Sequence, residues 1–227
     1  MCQTTSMKAL LPGTLLLVAI LWSQQREPGA AKPVEASVVD VPGLPRVLLI
    51  GDSISIGYTP FVRELLRGVA NVHRIPENGG PTIRGVASID KWLGDGKWDV
   101  IHFNFGLHDL RIMEGEKRQV PIEDYEKNLD ALTTRMRKTG AWVIFATTTP
   151  VPEGKVNPPR LPADVILYNQ AALRVMKKQG VAVNDLYAAV LPRLGDLQQP
   201  VNVHFKAEGS RFLAEKVADA IRGALKK

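Results

Sequence analysis

Residues 46–53 read RVLLIGDS, and this stretch decides the fold. Its first five residues, Arg46–Ile50, form a short apolar run that stops at Gly51, as expected of a strand buried inside a parallel sheet. A helical pattern follows, and we predict that it begins at Pro60, because proline is favoured in the first turn of a helix. Its apolar face comprises Phe61, Leu65, Leu66 and Val69. The stretch therefore predicts a strand, a turn and a helix in succession.

The same alternation of strand and helix continues to the end of the chain. Further strands are predicted at 71–75, 98–105, 142–147 and 181–183, and further helices at 83–93, 121–139, 164–179 and 207–225. Five strands alternating with helices predict an α/β fold, a three-layer α/β/α sandwich around a five-stranded parallel sheet. In such sheets a functional site lies outside the carboxyl ends of the strands.

The composition excludes several classes of protein. Hydrophobic residues make up 45% and charged residues 23% of the 227 residues, close to globular averages. The formal net charge of +6 does not indicate nucleic-acid binding, because the basic residues are dispersed and aromatic residues reach only 6%. The single cysteine, Cys2, excludes a disulfide framework and a multi-thiolate zinc site. The histidines lack a spaced ligand motif, so we predict neither a metal nor another cofactor.

The N-terminal residues have the pattern of a secretory signal. Lys8 precedes an apolar run at 9–22, and small residues follow at 29–31. The run is shorter than the ~20 residues of a membrane span. The predicted parts of the chain are a signal peptide, or an uncleaved anchor, at 1–31, a linker at 32–45 and a domain at 46–227. We therefore expect an exported protein, periplasmic or extracellular, that meets a membrane only if its N-terminal segment is not cleaved.

Two residues near predicted strand and helix ends suit nucleophilic catalysis. Ser53 lies between the first strand and a helical stretch, where free backbone N–H groups and the helix dipole favour a developing oxyanion. A serine nucleophile needs a base, and His204 is the candidate because it lies in a loop that opens the last helix. Taken singly, Ser53 could be only a helix N-cap, and His204 only a hydrogen-bonded loop histidine.

Four short blocks place these residues in a recognisable order. They read Gly51-Asp52-Ser53, Asn78-Gly79-Gly80, Gly106-Leu107-His108-Asp109 and Val203-His204-Phe205-Lys206-Ala207-Glu208-Gly209. In this order they resemble the SGNH (GDSL-type) hydrolase family, serine esterases and lipases on a flavodoxin-like sheet. The resemblance is closest to exported bacterial members with a Gly-Leu-His-Asp third block, and it spans nearly the whole predicted domain.

The resemblance implies a role for each block. Ser53 would be the nucleophile, and His204 the general base and later the acid. The backbone N–H groups of Ser53 and of Gly79 or Gly80 would form an oxyanion hole, completed by a side chain from the third block. That side chain is asparagine in the family and His108 here. Imidazole can also donate a hydrogen bond, and imidazolium more strongly, whereas the alternative is that His108 merely packs in its loop.

The acid that orients the catalytic histidine in the family is also replaced. The family usually places an aspartate at the position of Val201, and some relatives use the position of Asn202 instead. An asparagine oxygen accepts a hydrogen bond from imidazole but brings no charge. The resemblance therefore implies a Ser-His-Asn set or a Ser-His dyad, with Asp185 and Glu208 as alternative orienting groups.

Three further residues are predicted to support the site or to bind substrate. Asp52 is expected to shape the turn before the nucleophile, and Asp109 ends the third block. Asn169 lies among the apolar positions of its helix, and Tyr168-Asn169 resembles a Tyr-Asn pair of many relatives. Because a buried amide must find partners, a purely structural tie is the alternative for Asn169.

These observations predict an exported serine esterase that acts on carboxylic esters. The resemblance and the predicted secretion favour small acyl groups such as acetate on a carbohydrate, so the expected partner is a small-molecule or polysaccharide ester and not a nucleic acid. The missing aspartate and asparagine leave two alternatives open. One is a catalytically impaired binding module for glycans or envelope components, and the other is an acyltransferase that uses the same residues.

Overall fold

The computed structural model describes Met1 and residues 38–227. The predicted signal peptide or anchor, and the linker up to residue 37, lie outside the described residues. At the start of the described chain, residues 42–44 form a turn that Asn71 holds in place. The Asn71 side chain accepts a hydrogen bond from the Val41 N–H at 2.9 Å and donates to the carbonyls of Val41 and Leu44 at 3.0 and 3.1 Å. The Asp40 carboxylate also pairs with Arg46 at 2.8 Å, so the chain is attached to the folded body from residue 40 onward.

Five parallel strands form one sheet in the order β2-β1-β3-β4-β5. The strands are β1 Arg46–Ile50, β2 Asn71–Arg74, β3 Val100–Phe103, β4 Trp142–Ala146 and β5 Ala182–Asn184. The chain adds β2 on one side of β1 and the other three strands on the opposite side. The carboxyl ends of β1 and β3 therefore lie at a topological switch point, where α/β proteins bind their ligands. The predicted five-stranded parallel sheet is confirmed.

Helices cover both faces of this sheet. The helices are α1 Ser53–Leu65, α2 Thr82–Leu93, α3 Ile122–Arg137, α4 Pro162–Gln179, α5 Leu186–Val190, α6 Leu194–Leu197 and α7 Ala207–Leu225. The α1 helix packs against α7, whereas α3 packs between α2 and α4. Since crossover connections are right-handed and the strand order reverses at β1, α1 lies on the opposite face from α2, α3 and α4. The predicted three-layer architecture is confirmed.

The two central strands explain why the sheet can be buried on both faces. Val47–Ile50 of β1 and all of β3 are buried, with a continuous apolar run in β1 that no solvated strand would carry. His102 of β3 is fully buried as well, and its Nε2 accepts from the Asn184 side chain at 3.1 Å. Within residues 38–227, no helix has the length and apolar character needed to cross a membrane.

The first helix begins seven residues earlier than predicted. It starts at Ser53, and Pro60 lies inside it rather than at its start. The side chain of Asp52 is the N-cap, because it accepts a hydrogen bond from the Ile54 N–H at 2.9 Å. Val69, predicted on the apolar face, lies beyond the helix and is exposed. The other predicted elements begin and end within two residues of the observed bounds, but α5 and α6 were not predicted.

Candidate active site

The nucleophile candidate is the first residue of α1, directly after β1. Because Asp52 caps the helix, the hydroxyl of Ser53 is not needed as a cap, and the interpretation of Ser53 as a mere N-cap is wrong. The Asp52 carboxyl is buried, which raises its pKa, and the Asp52 carbonyl accepts from the Ser55 hydroxyl at 2.9 Å. Hydrogen bonds of Asp52 and Ser55 therefore hold the turn that presents Ser53.

Ser53, His204 and Asn202 form one chain of contacts. The Ser53 Oγ lies 2.9 Å from Nε2 of His204, and Nδ1 of the same ring lies 2.8 Å from Oδ1 of Asn202. The same Oδ1 accepts from the backbone N–H of His204 at 3.0 Å. Both contacts at Oδ1 need an acceptor, so they keep the amide oxygen, not its NH2, toward the ring. The imidazole then carries its proton on Nδ1 and offers Nε2 to the serine hydroxyl.

The other orienting groups considered for His204 are engaged elsewhere. Oδ1 of Asp185 accepts from the Thr147 hydroxyl at 2.8 Å and caps α5 through the Ala188 N–H at 3.1 Å. Glu208 lies on the surface of α7 beside Arg193, at 3.5 Å. Neither carboxylate contacts His204, so Asp185 and Glu208 are wrong as orienting groups, and Asn202 occupies that place.

The two glycines predicted for the oxyanion hole both have partners for their N–H groups. Gly79 donates to the carbonyl of Gly51 at 2.9 Å, and a Cβ at Gly79 would lie equally close to that oxygen. Gly80 donates to the side chain of Asn78 at 2.9 Å. Gly79 is therefore a close-approach position rather than an available donor, which corrects that prediction. Gly80 becomes available if Asn78 rotates, and the N–H of Ser53, in the first turn of α1, has no acceptor within the helix.

His108 is present in this region as a neutral ring. Burial, and then the positive charges of Arg111 and Arg160, lower its pKa to about 3. The neutral imidazole is therefore favoured over the imidazolium as the form in which His108 donates. Its Nε2 lies 3.5 Å from Nη2 of Arg111, which can only donate, so this contact favours the proton on Nδ1. A neutral His108 thus has one N–H to offer.

Two predicted supporting residues are buried and bonded to backbone. Oδ1 of Asp109 accepts from the N–H of Thr82 at 2.8 Å and from its hydroxyl, and burial raises the pKa of this carboxyl to about 7. Asn169 accepts from the Thr148 N–H at 2.8 Å and donates to the Thr148 carbonyl at 2.9 Å. Both residues tie loops at the carboxyl edge of the sheet, and Asn169 corresponds to the structural interpretation rather than to substrate binding.

A buried arginine that the sequence analysis did not single out braces the turn before Ser53. Arg74, the last residue of β2, donates to the carbonyls of Gly51 and Asp52 at 3.0 and 3.3 Å and to the Ser55 hydroxyl at 3.2 Å. It also donates to the carbonyl of Ile75 at 2.6 Å. The signal that could have predicted it is its position, since a charged residue at the end of a buried strand needs partners.

Two further arginines lie on the His108 side of the site. Arg160 is 4% exposed and donates from Nε to the carbonyl of Leu107 at 2.7 Å. Arg111 follows the third block and contacts His108 as described above. Arg111 is near the site because it follows the third block, whereas the proximity of Arg160 depends on packing between distant segments that no local pattern in the sequence predicts.

A small cavity of about 60 Å³ adjoins the serine and the histidine. Its lining residues are Ser53, Ile54, Gly57, His204, Phe205 and Ser210. Among residues 38–227, no cluster of three histidine, cysteine, aspartate or glutamate side chains could hold a metal ion. The contacts of Ser53 with His204, and of His204 with Asn202, suit chemistry that needs a hydroxyl nucleophile and a base. Nearby N–H groups can supply hydrogen-bond donors.

Comparison with known proteins gives the same family as the motif blocks. The model of the GDSL-like lipase/acylhydrolase family matches residues 49–212. No curated protein sequence matches the chain. A lipase/acylhydrolase from Enterococcus faecalis superposes with a TM-score of 0.69 at 22% identity, covering 79% of this chain and 96% of that one.

Two acetyl xylan esterases have similar structures. The esterase AlAXEase gives a TM-score of 0.66 at 19% identity, covering 78% of this chain and 99% of that chain. Axe2 from Geobacillus stearothermophilus gives 0.65 at 19% identity, covering 78% and 94%. At these identities the structural likeness supports the fold, while the family model supports membership.

Proposed function

The chain belongs to the GDSL-like lipase/acylhydrolase family and is a carboxylic ester hydrolase, and from that premise we propose that it is an exported serine esterase that removes small acyl groups from carbohydrate. The observation that carries the proposal is the chain of contacts from Ser53 through His204 to Asn202. The resemblance to members with a Gly-Leu-His-Asp third block stays a prediction.

The contacts support a two-step mechanism. Nε2 of His204 takes the hydroxyl proton as the Oγ of Ser53 attacks the ester carbonyl, and the carbonyl oxygen becomes an oxyanion. His204 then gives this proton to the departing alcohol, which leaves an acyl group on Ser53. Water, deprotonated by the same Nε2, attacks the acyl carbonyl and releases the carboxylic acid, and the proton returns to Ser53. In both steps Asn202 keeps the ring in the tautomer that the reaction needs.

The oxyanion requires donors that face it when it forms. The backbone N–H of Ser53 is in the first turn of α1, where the helix dipole also favours negative charge. We assign the second donor to Gly80, after Asn78 turns away, and the third to the Nδ1–H of His108. Arg74 acts through the turn, because its bonds to the carbonyls of Gly51 and Asp52 limit where the nucleophile can lie.

We propose a small acyl group on a sugar, rather than a long acyl chain, as the substrate. The small cavity of about 60 Å³ that adjoins Ser53 and His204 supports a group of a few heavy atoms. The acetyl xylan esterases with the same fold make acetylated polysaccharide a reasonable class to test first. The predicted secretory signal would deliver the enzyme to polysaccharides outside the cytoplasm.

The alternative of a catalytically impaired binding module has less support from the geometry. It rests on the absence of the family's aspartate and asparagine, yet Asn202 accepts from Nδ1 of His204 where the aspartate would, and the neutral ring of His108 has an N–H to offer. Acyl transfer to a sugar hydroxyl uses the same residues as hydrolysis. The product distribution with and without an added sugar acceptor distinguishes transfer from hydrolysis.

The central test compares wild-type protein with Ser53→Ala. We expect wild type to hydrolyse p-nitrophenyl acetate and acetylated xylan, with rates that fall as the acyl chain lengthens, and Ser53→Ala to lose nearly all activity. A fluorophosphonate probe should label the wild-type protein at Ser53. Ser88→Ala, at a half-buried position of α2, is the matched control and should retain full activity. Undiminished hydrolysis by Ser53→Ala would refute the mechanism.

Export has an independent test. Expression of the full chain in a bacterial host, followed by cell fractionation and N-terminal sequencing, should give a mature form that begins near residue 32. A full-length chain in the membrane fraction would instead support the anchor. Recovery of the full-length chain in the cytoplasm would contradict export and leave the hydrolase mechanism intact.

A further inference from the structure

Two arginines beside the proposed active site form no ion pair within the described chain, although the buried carboxyl of Asp52 acts on the charge of both. Other arginines near them are paired: Arg84 with Glu77, and Arg118 with Asp164 at 2.6 Å. Neither Arg111 nor Arg160 forms such an ion pair among residues 38–227. Buried or half-buried cations without a counter-ion are costly, so their retention calls for a physical reason.

The hydrogen bonds of this pair are also incomplete. Arg160 uses Nε for the carbonyl of Leu107 at 2.7 Å and Nη1 for that of Pro158 at 2.9 Å, whereas its Nη2 donates to no described residue. The Nε of Arg111 is buried without any partner, and its Nη2 makes only the long 3.5 Å contact with His108. A buried N–H without an acceptor is rare in folded proteins. Both guanidinium groups therefore keep donors that a ligand could use.

The charges of the two arginines act on each other and on residues around the nucleophile. Burial, and then the positive charge of Arg111, lowers the pKa of Arg160 to about 10. Both arginines lower the pKa of His108, as His204 also does, and Arg160 acts on Asp52, the residue before Ser53. An anion between the two guanidinium groups would relieve this repulsion.

We propose that Arg111 and Arg160 form an anion subsite beside Ser53, which binds a carboxylate or a similar oxyanion carried by the ester substrate. The inference rests on the proposed esterase function and narrows its substrate class to acidic esters. The planar guanidinium fork matches the two oxygens of a carboxylate, and such charge-assisted bonds are the strongest that side chains form in water-excluded sites. The anionic group could lie on the acyl part or on the alcohol part of the ester.

Two matched substrate pairs show whether the anionic group is recognised on the acyl part or on the alcohol part of the ester. For the acyl part, mono-p-nitrophenyl succinate is compared with its methyl ester, and for the alcohol part 3-acetoxybenzoate is compared with 3-acetoxybenzamide. In each pair the measured quantity is kcat/KM for the anionic ester divided by kcat/KM for the neutral one. We expect wild type to prefer the anion about tenfold in one of the two pairs at low ionic strength, and added salt to reduce the preference.

Variants then assign the preference to the two arginines. Arg111→Gln should lower the ratio about tenfold, and Arg111→Lys, which keeps the charge but loses the fork, should lower it less. Arg84→Gln is the matched control, because it removes an equal charge that also acts on His108 but is already paired with Glu77. It should change the ratio less than about threefold. Arg160→Gln is an additional variant, used only if thermal melting shows that it folds.

The outcomes separate this inference from the proposed function. Ratios at or below one in both pairs for wild type, or equal losses in Arg84→Gln and Arg111→Gln, would overturn the anion subsite while esterase activity on the neutral substrates stands. If no ester is hydrolysed, the proposed function fails, and calorimetry decides the subsite. In at least one of the two pairs, Ser53→Ala protein should bind the anionic ester more tightly than the neutral one, and the Ser53→Ala, Arg111→Gln double variant should lose that difference. Equal binding within both pairs would refute the subsite.

Discussion

Replacing Asn202 by aspartate tests the arrangement of the proposed catalytic site most directly. Asn202 already meets the geometric need, because its Oδ1 accepts from Nδ1 of His204 at 2.8 Å and from the His204 backbone N–H at 3.0 Å. What it lacks is a negative charge to stabilise the imidazolium that forms when Ser53 attacks. Asn202→Asp supplies that charge on an isosteric side chain, so we expect kcat to rise.

The size of the gain follows from the hydrogen bond at Nδ1. A hydrogen bond to a charged group contributes about 1.5–3 kcal/mol, and a neutral one about 0.5–1.5 kcal/mol. The difference, about 1–1.5 kcal/mol in the transition state, corresponds to about a five- to tenfold increase in kcat. A serine protease whose aspartate becomes asparagine loses about 10⁴-fold, but there the histidine takes the wrong tautomer. Here Asn202 holds the correct one, so the expected gain is small.

The assay is hydrolysis of p-nitrophenyl acetate, with kcat taken in the pH range where it no longer changes with pH. Asn202→Ala should lower kcat at least about tenfold, because the ring loses its orienting acceptor. Glu208→Gln is the control for a change of charge near the chain's end, and it should stay within about twofold of wild type since Glu208 is exposed and does not contact His204. An Asn202→Asp rate equal to or below that of wild type, in a protein that melts normally, would refute the reasoning.

Substitutions at three other residues give independent tests. Burial raises the pKa of Asp109 from 3.8 to about 7, so the carboxyl loses its proton at lower pH in the unfolded chain than in the native protein. The free energy of unfolding therefore falls as pH rises from about 4 to about 7. Asp109→Asn should flatten that part of the pH dependence in urea unfolding, and an unchanged slope would contradict the shifted pKa. His108→Ala should lower kcat for p-nitrophenyl acetate about 10²-fold with little change in KM, whereas His108→Asn should recover most of the loss; equal rates for wild type and His108→Ala would show that the ring does not contact the oxyanion. Arg74→Lys should leave the carbonyls of Gly51 and Asp52 without good hydrogen bonds. We therefore expect the free energy of unfolding to fall by about 2–3 kcal/mol and kcat to change more than KM. An unchanged kcat in a destabilised protein would limit Arg74 to a role in stability.

The parts of the fold that could be predicted are those with a local cause. A strand buried on both faces must be a continuous apolar run, and Arg46–Ile50 shows one that Gly51 ends. The start of α1 was wrong because two local signals compete there. Pro60 is a strong helix-start signal, but the Asp52 side chain bonds the Ile54 N–H and begins the helix earlier. The short helix α6 has no such signal, and α5 is only five residues long although Asp185 caps it, so both helices depend on packing.

In the candidate site, too, only the features with a local cause in the sequence could be predicted. The motif blocks predict that Ser53 and His204 belong together, although 151 positions separate them. The state of each hydrogen-bond donor could not be predicted, because it depends on a residue from another segment. The N–H of Gly79 donates to the carbonyl of Gly51, and no sequence pattern near Gly79 predicts this hydrogen bond. Likewise, the neutral state of His108 results from burial and from cations that follow it in the chain.

One of the two departures from the family's pattern changes the charge of the site. Asn202 brings no negative charge to His204, whereas a neutral His108 stands in place of a neutral asparagine. Arg111 and Arg160 add positive charge near the nucleophile that no ion pair within residues 38–227 neutralises. Positive charge there favours the oxyanion but opposes the imidazolium that forms in the same transition state. A carboxylate bound between the two arginines would cancel much of that opposition. In an esterase for acidic substrates, the substrate's own anion would therefore supply charge compensation that the family's aspartate supplies elsewhere, which gives a physical reason why an asparagine suffices at position 202.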